Sequence, residues 1–317
     1  MVIRQRKYHG FIGLAILVVS EGLMLAGIRP FTAWFYSLAW WSYILIVDQA
    51  IYQIKGNSLW VSRRGEFFLL IPCSVGFWMV FEGINIYLKN WHYVNIPGET
   101  WIRWIGYFIA YGTVLPALFE TTELLESLGL YRNSRVKPVF KNRSWYYPFF
   151  LIGLLFLFSP IFWPRYTFPL VWLSFIFLLE PVLHARGGRS LMREWEQGNL
   201  RTLFLLLTAG LICGLLWEFW NFWTSAKWIY TVPFFSWLKV FEMPVLGFLG
   251  FPPFTVECYV MYNFLTLLRR KGGWTQDDYT KTGKTSPVFI SLSLLLLILI
   301  FILVSRSIDF YTVRTFI

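Results

Sequence analysis

The chain has 317 residues, of which 57% are apolar, 21% aromatic and only 14% charged. Soluble domains carry about 25% charged residues, so the composition excludes a soluble enzyme, and its many apolar side chains exclude a disordered chain. Three scattered cysteines exclude a disulfide framework and a CxxC redox motif, and three scattered histidines argue against a histidine-rich metal site. The sequence therefore predicts an all-α polytopic membrane protein without a metal or cofactor.

Nine apolar stretches are long enough, or nearly so, to cross about 30 Å of hydrocarbon. In chain order they cover residues 10–29, 31–53, 67–88, 102–125, 146–164, 166–185, 202–224, 241–267 and 287–305.

The loops between these spans alternate in charge. The N-terminal segment and the even-numbered loops hold 20 of the 28 Lys and Arg residues. Because positive charge stays on the cytoplasmic side, the N-terminus is predicted to be cytoplasmic and the C-terminus outside. We expect a protein of a bacterial inner membrane, in which the basic excess reports orientation and not nucleic-acid binding.

An internal repeat organises the spans. The segment 48–120 recurs at 180–257, and the matches fall on acids, amides, prolines and single aromatic residues, whereas chance similarity would align leucines. Each copy contains four spans, so both copies have the same orientation, and the shared interface of such parallel repeats is a favoured place for a site. The aligned pairs are Asp48/Glu180, Glu82/Glu218, Asn85/Asn221, Trp91/Trp228, Tyr93/Tyr230, Pro116/Pro253 and Glu120/Glu257.

The repeat divides the chain into five predicted segments. They are a first four-helix repeat at 1–130, a basic cytoplasmic linker at 131–145, a second four-helix repeat at 146–270, a second basic cytoplasmic linker at 271–286, and a C-terminal transmembrane helix with its tail at 287–317. The last span lies outside the duplication and has no ionisable residue. We expect its residues 287–305 to face lipid or to contact another membrane protein.

The acids inside the spans are the candidates for chemistry. No Lys or Arg lies near the middle of a span, and an isolated charge there costs about 2.5–3.5 kcal/mol even on insertion scales. We therefore expect these acids to be neutral or to share protons, and to face a cavity or another helix. A buried, protonated carboxyl group can act as a general acid. The alternative is that the acids only hydrogen-bond helices together.

These acids define two levels in the membrane. Glu82 and Glu218 lie toward the outer side of their spans. Toward the cytoplasmic side lie Asp48, Glu120, Glu180 and Glu257. A proline precedes Glu120 and Glu257 by one turn and can open the helix there. The predicted catalytic residues are therefore Glu120 and Glu257 first, followed by Glu82 and Glu218.

Substrate contacts are predicted from the neighbours of these acids. Each outer acid is followed after three residues by an asparagine on the same helix face, and then by a Trp and a Tyr in the loop. Aromatic faces can stabilise a carbocation, although anchoring at the membrane interface also explains them. The predicted substrate-binding residues are Asn85, Asn221, Trp91, Trp228, Tyr93, Tyr230, Asp48 and Glu180.

Both copies resemble the lycopene cyclase domain, a membrane-embedded family that occurs as paired subunits or in tandem. The similar segments are FWMVFEGINIYLKNWHYVN…VLPALFETTELL and GLLWEFWNFWTSAKWIYTV…GFPPFTVECYVMY. Here the acid follows proline by four residues, where the family motif looks like Pro-x-Glu-Glu, which favours a shared fold over a shared substrate. The resemblance implies cofactor-independent, acid–base cyclisation or isomerisation of an isoprenoid, as in carotenoid biosynthesis.

Two other functions fit the same pattern. Intramembrane acids in parallel repeats also suit a small-molecule or proton-coupled transporter. The ninth helix suits a structural or accessory subunit of a membrane complex. A cleft open to lipid would favour the enzyme, whose partner is a membrane lipid or isoprenoid. A water-filled path would favour the transporter, and contact of the last helix with another chain would favour the subunit.

The alternation of charge predicts the topology directly. Reporter domains inserted in the loops at 132–143 and 269–284 should both report the cytoplasm, because these loops carry clustered Lys and Arg. A reporter activity typical of the periplasm at either loop would overturn the count of spans.

Overall fold

A computed structural model describes residues 8–139, 143–233, 237–270, 272–275 and 285–314. Within these ranges the chain is a bundle of α-helices with two small antiparallel sheets. The basic residues Arg4, Arg6 and Lys7, the tail 315–317 and parts of both predicted linkers lie outside the described residues. Below, the first half of the chain means residues up to 130 and the second half means residues 146–270.

The helices and strands are numbered in chain order. The helices are α1 His9–Leu25, α2 Phe31–Lys55, α3 Leu59–Ser62, α4 Arg64–Leu88, α5 Thr100–Tyr111, α6 Val114–Ser127, α7 Tyr146–Phe162, α8 Pro164–Thr167, α9 Val171–Ala185, α10 Leu191–Glu196, α11 Arg201–Trp223, α12 Phe251–Arg269 and α13 Pro287–Tyr311. The paired strands are β1 Trp91–Val94 with β2 Lys227–Tyr230, and β3 Lys239–Val240 with β4 Met243–Pro244.

Seven segments of the described chain are long and apolar enough to cross a membrane, by length and composition alone. They are Arg64–Leu88, Thr100–Ser127, Arg143–Phe162, Pro164–Ala185, Arg201–Trp223, Val245–Arg269 and Pro287–Tyr311. Two further predicted spans correspond to α1, which is short at 17 residues, and to α2, in which tryptophan, tyrosine, glutamine and aspartate lower the hydropathy. The chain is thus an all-α membrane protein.

Apolar side chains cover the outside of the bundle. Only 6% of the α13 span and 17% of the α7 span are buried, and leucine, isoleucine and phenylalanine side chains are exposed along both helices. The last helix packs mainly on α4. So large an exposed apolar surface is unfavourable in water and favourable in lipid, in agreement with a membrane protein.

Two helical spans are interrupted where the sequence places proline. Pro116 lies in the first turn of α6, just after the break that separates α6 from α5, and Pro252 and Pro253 lie in the first turn of α12. Proline is tolerated in a first turn because its missing N–H would have no partner within the helix. The Ser74 hydroxyl stabilises the break before α6 by donating to the Tyr111 carbonyl at 2.5 Å.

Glycines set the closest contacts between helices. Gly210 and Gly214 form a GxxxG pair on α11, and α12 begins directly against them: a Cβ atom added at Gly210 would lie 2.6 Å from the Phe251 carbonyl oxygen. On α1, a Cβ atom at Gly13 would lie 2.7 Å from the Ser42 carbonyl oxygen of α2. Small residues at such crossings let the helix backbones approach and gain packing contacts that lipid does not replace.

Asp48 and Glu180 hold the short helices α3 and α10 in place. Asp48 accepts hydrogen bonds from the Ser58 hydroxyl at 2.8 Å and the Trp60 N–H at 2.7 Å. Glu180 accepts one from the Ser190 hydroxyl at 2.7 Å, and backbone N–H groups of α10 donate to it as well. Both serines cap their helix in turn. The two acids therefore hold a serine and a short helix in the same way in the two halves, and Asp48 in addition lies 2.9 Å from His9 of α1.

Other acids pair with cations from the ends of the spans. Glu123 lies 2.5 Å from both Lys55 and Arg63, and Glu66 lies 2.5 Å from Arg269. The sequence does not show these pairs, because the cations lie at the helix ends and their long side chains reach inward to the acids.

The contact between α11 and α12 predicts a difference between two glycine variants. Gly210→Ala should lower the free energy of unfolding by about 1–3 kcal/mol, because the added methyl group overlaps the α12 backbone. Gly22→Ala is the matched control, since nothing lies within 4 Å of its added Cβ atom. Thermal unfolding in detergent micelles measures both, and equal stability of the two variants would contradict the close contact.

Candidate functional site

A cavity of about 180 Å³ lies between the two halves of the chain, beside β1 and β2. Aromatic rings make up 14 of its 29 lining residues, and both halves contribute them. Such a lining suits an apolar ligand, and the ring faces can attract a positive charge on it. The aromatic lining residues are Trp34, Tyr36, Trp78, Trp91, Tyr93, Tyr107, Tyr111, Phe168, Trp172, Trp217, Trp228, Tyr230, Phe251 and Phe254.

Glu82 of α4 lies directly behind this lining. Its Oε1 atom accepts hydrogen bonds from the Tyr93 hydroxyl at 2.5 Å and from the indole N–H groups of Trp78 at 2.9 Å and Trp91 at 3.1 Å. All three donors line the cavity, and the Glu82 side chain is fully buried. In the described part of the chain its Oε2 atom has no hydrogen-bond partner, so this oxygen is available to carry a proton.

Glu218 of α11 occupies the corresponding place in the second half. Its Oε1 atom accepts a hydrogen bond from the Tyr230 hydroxyl at 2.8 Å, and Tyr230 lines the cavity. The side chain is fully buried, and its Oε2 atom has no partner among the described residues. Each of the two glutamates therefore reaches the same cavity through a tyrosine hydroxyl.

The pairing of β1 with β2 brings the two tyrosines together. The strands are antiparallel, with Tyr93 opposite Trp228 and Trp91 opposite Tyr230. All four residues line the cavity. Trp91 and Tyr93 belong to the first half of the chain, and Trp228 and Tyr230 belong to the second. The pairing of the two strands is therefore what brings these side chains to one cavity.

Asn85 and Asn221 hold these strands against their helices. The Asn85 side chain accepts from the Trp91 N–H at 3.2 Å and donates to the Trp91 carbonyl at 3.0 Å. The Asn221 side chain accepts from the Trp228 N–H at 3.1 Å and donates to the Trp228 carbonyl at 2.9 Å. Neither amide lines the cavity. The structure thus places both asparagines as supports of β1 and β2.

The two tyrosine hydroxyls are held in the protonated form. Burial, and after it the neighbouring Glu82 carboxyl group, raises the pKa of Tyr93 well above its usual value near 10. Burial and Glu218 do the same to the pKa of Tyr230. Each tyrosine therefore presents a hydroxyl group, and not a phenolate, between a carboxyl group and the cavity.

Four of the predicted site residues neither line the cavity nor hydrogen-bond to a lining residue in the described structure: Asp48, Glu120, Glu180 and Glu257. Glu120 is fully buried beside Asp48, and no N–H group of the described residues donates to its carboxyl oxygens. Glu257 accepts a hydrogen bond from the Phe175 N–H at 2.8 Å. The structure therefore brings Glu82 and Glu218 together with the aromatic residues, and leaves the other acids in the packing between helices.

Several lining residues are absent from the sequence prediction. Trp78 precedes Glu82 by one helical turn, and Trp217 directly precedes Glu218. The ring centroids of Trp78 and Trp217 lie 5.1 Å apart. Trp172 and Phe254 complete this aromatic contact, with ring centroids 5.6 Å apart. Trp78 could be predicted from the sequence, because it lies one turn from an intramembrane acid. The contacts between rings of different halves could not, because sequence spacing describes one helix at a time.

Two cationic residues complete the lining, Arg103 and Lys227. Arg103 lies 2.6 Å from Asp309, and Lys227 lies 2.6 Å from Glu242. Each cation is therefore balanced by a carboxylate at the edge of the cavity, and the interior is left to aromatic and apolar groups.

Compared with known proteins, the chain matches no family model, no curated protein and no solved structure. In the part of the chain that the structure describes, no group of three or more His, Cys, Asp or Glu side chains is arranged to hold a metal ion. The chemistry of the site has to be inferred from its own geometry.

The strand-supporting role of the asparagines predicts a loss of stability. Asn85→Ala and Asn221→Ala should each lower the free energy of unfolding by about 1–3 kcal/mol, because each leaves buried backbone groups of β1 or β2 without a partner. Asn133→Ala, at an exposed position, is the control. Unfolding in detergent, without added ligand, measures the stability of all three variants. If the asparagines only contacted a ligand, Asn85→Ala and Asn221→Ala would be as stable as the control.

Proposed function

We propose that this chain is an integral membrane enzyme that catalyses a cofactor-independent, acid–base cyclisation or isomerisation of an isoprenoid or another lipid, as the lycopene cyclase resemblance implies. The observation that carries the proposal is the pairing of two buried glutamates with two tyrosine hydroxyls on one aromatic cavity. A proton source, an apolar binding space and aromatic faces are the parts that such a reaction requires.

The reaction is an addition and a loss of one proton. The tyrosine hydroxyl turns from the carboxyl group and gives its proton to a carbon–carbon double bond, whose π electrons form the new C–H bond. The carboxyl group turns in the same step, so that the glutamate proton passes from Oε2 to the tyrosine oxygen. The resulting carbocation is stabilised by the surrounding rings and either closes a ring or shifts the double bond. A neighbouring C–H bond then loses its proton, which returns through the tyrosine to the carboxylate.

In this proposal Tyr93 and Tyr230 face the substrate, and at least one of Glu82 and Glu218 exchanges the proton through its tyrosine. Trp91 and Trp228 contribute ring faces to the cavity. Asn85 and Asn221 support the site, and Glu120 and Glu257, which lie outside the lining, are assigned to helix packing. The mostly apolar lining suits a hydrophobic molecule better than the polar solute or ion of a transporter.

We propose further that nine helices cross a bacterial inner membrane, with the N-terminus in the cytoplasm, and that the two halves are parallel repeats. The matching contacts of Asp48 and Glu180, of Asn85 and Asn221, and of Glu82 and Glu218 support the repeat, because each pair makes the same kind of hydrogen bond in its own half.

A second candidate function is that of an accessory subunit of a membrane complex. The observation that favours it is the exposure of α13, of which only 6% of the span is buried. Its residues 287–305 would then contact another membrane protein. Crosslinking from α13 in native membranes tests it: a specific protein adduct supports the subunit, and adducts with lipid alone contradict it.

The proposed chemistry predicts transfer of solvent hydrogen to carbon. The protein is reconstituted in vesicles of total membrane lipid with added lycopene and squalene in D₂O, and mass spectrometry detects deuterium in the lipids. At least one of Glu82→Gln and Glu218→Gln should abolish the incorporation, because glutamine keeps the size and the hydrogen bonds but cannot donate this proton. Glu196→Gln is the control, because Glu196 is partly exposed and outside the cavity. No incorporation by the unaltered protein, or equal incorporation by every variant, would contradict the proposal.

A further inference from the structure

The end of α13 is anchored to the wall of the cavity. The Arg103 guanidinium donates two hydrogen bonds to the Asp309 carboxylate, at 2.6 and 2.7 Å. The same carboxylate accepts from the Trp104 indole at 2.9 Å and from the Tyr107 hydroxyl at 3.0 Å. Four donor groups of α5 thus hold the last turns of a helix of which only 6% of the span is buried, which is more than a lipid anchor requires.

The residues that follow α13 extend this contact to β1. The Tyr93 N–H donates to the Thr312 carbonyl at 2.8 Å, and the Arg314 N–H donates to the Tyr93 carbonyl at 2.9 Å. Val313 forms a parallel bridge with Tyr93. The segment 312–314 therefore lies along the edge of β1 that β2 leaves open, and both backbone hydrogen-bonding groups of Tyr93 are bound by it.

The hydroxyl group of Tyr93 is fixed from the same side. Tyr107, which donates to Asp309, stacks on Tyr111 with the rings 5.6 Å apart and only 2° from parallel. The Tyr111 hydroxyl donates to the Tyr93 hydroxyl oxygen at 2.9 Å, and Tyr93 donates to Glu82. The Asp309 carboxylate thus ends a series of contacts that sets the position of the Tyr93 hydroxyl.

The second tyrosine has no such support among the described residues. There, β2 pairs with β1 alone, and the Tyr230 hydroxyl donates to Glu218. Glu82 accepts three hydrogen bonds on one oxygen, from Trp78, Trp91 and Tyr93, whereas Glu218 has two side-chain partners, Tyr230 and Trp228. The two halves therefore carry corresponding residues, but the Glu82–Tyr93 pair has more hydrogen-bond partners than the Glu218–Tyr230 pair.

We propose that Asp309 is a positioning residue for the Glu82–Tyr93 pair, and that this pair, and not Glu218–Tyr230, exchanges the proton with the substrate. The inference rests on the proposed function and deepens it. A proton donor acts only when it is held at the reacting carbon, and a misplacement of about 1 Å can cost up to a hundredfold in rate. The C-terminal helix, which lies outside the duplication, supplies this precision to one copy of the site.

The test combines a structural and a chemical measurement on the full chain. Asp309→Ala should increase hydrogen–deuterium exchange of the backbone amides of β1 and lower deuterium incorporation into the lipids of the assay above by about tenfold or more. Asp309→Glu should restore part of both, because the carboxylate is kept. Arg306→Gln, an exposed residue of the same helix, should change neither.

The outcomes separate this inference from the proposed function. If Asp309→Ala leaves both the exchange of β1 and the lipid labelling unchanged, Asp309 is not a positioning residue. If Glu218→Gln abolishes labelling and Glu82→Gln does not, the assignment of the working pair is wrong while the proposed chemistry stands. If labelling is absent in the unaltered protein, the proposed function fails, and the amide exchange still decides whether Asp309 positions β1.

Discussion

The antiparallel pairing of β1 with β2 is the contact on which the site depends. Two strands of four residues join the halves of the chain where α4 and α11 end, and their pairing places Tyr93 and Tyr230 on one cavity. Buried backbone groups need partners, and each strand finds them in the other strand and in the asparagine of its own helix. Without this sheet each glutamate–tyrosine pair would remain within its own half, and the two pairs would not meet at one cavity.

Buried carboxyl groups are accommodated in three different ways, and the differences indicate their roles. Asp48 and Glu180 accept hydrogen bonds from serine and backbone groups of short helices. Glu123 lies in an ion pair, which compensates its charge. Glu82 and Glu218 accept from aromatic donors on one oxygen and leave the other without a partner in the described structure. Unpartnered carboxyl oxygens also occur at Glu120, Glu123 and Glu257 in the described structure, so the feature that favours proton transfer at Glu82 and Glu218 is their hydrogen bond to a tyrosine that lines the cavity.

The sequence predicts the helical membrane fold and singles out the outer acids, asparagines and aromatic residues. The aromatic residues line the cavity, and the acids and asparagines hydrogen-bond to them from behind. The sequence ranks Glu120 and Glu257 first because the prolines before them are expected to open their helices. The helices do break there, but neither acid lines the cavity. Periodicity and spacing describe one helix at a time, so contacts between distant segments were not predicted. Asp309 is the clearest case, since its partner Arg103 lies 206 residues earlier and both stand at the ends of spans.

The most direct test of this account is the lipid that copurifies with the chain. Gly106 lines the cavity, and a Cβ atom added there would have the Trp34 ring 3.7 Å away as its nearest neighbour, so Gly106→Phe should fill part of the space without displacing the backbone. Mass spectrometry of the purified protein and of this variant compares what each retains. We expect the unaltered protein to retain a distinct isoprenoid or other apolar lipid and the filled variant to lose it. The same lipids in the same amounts from both proteins would contradict it.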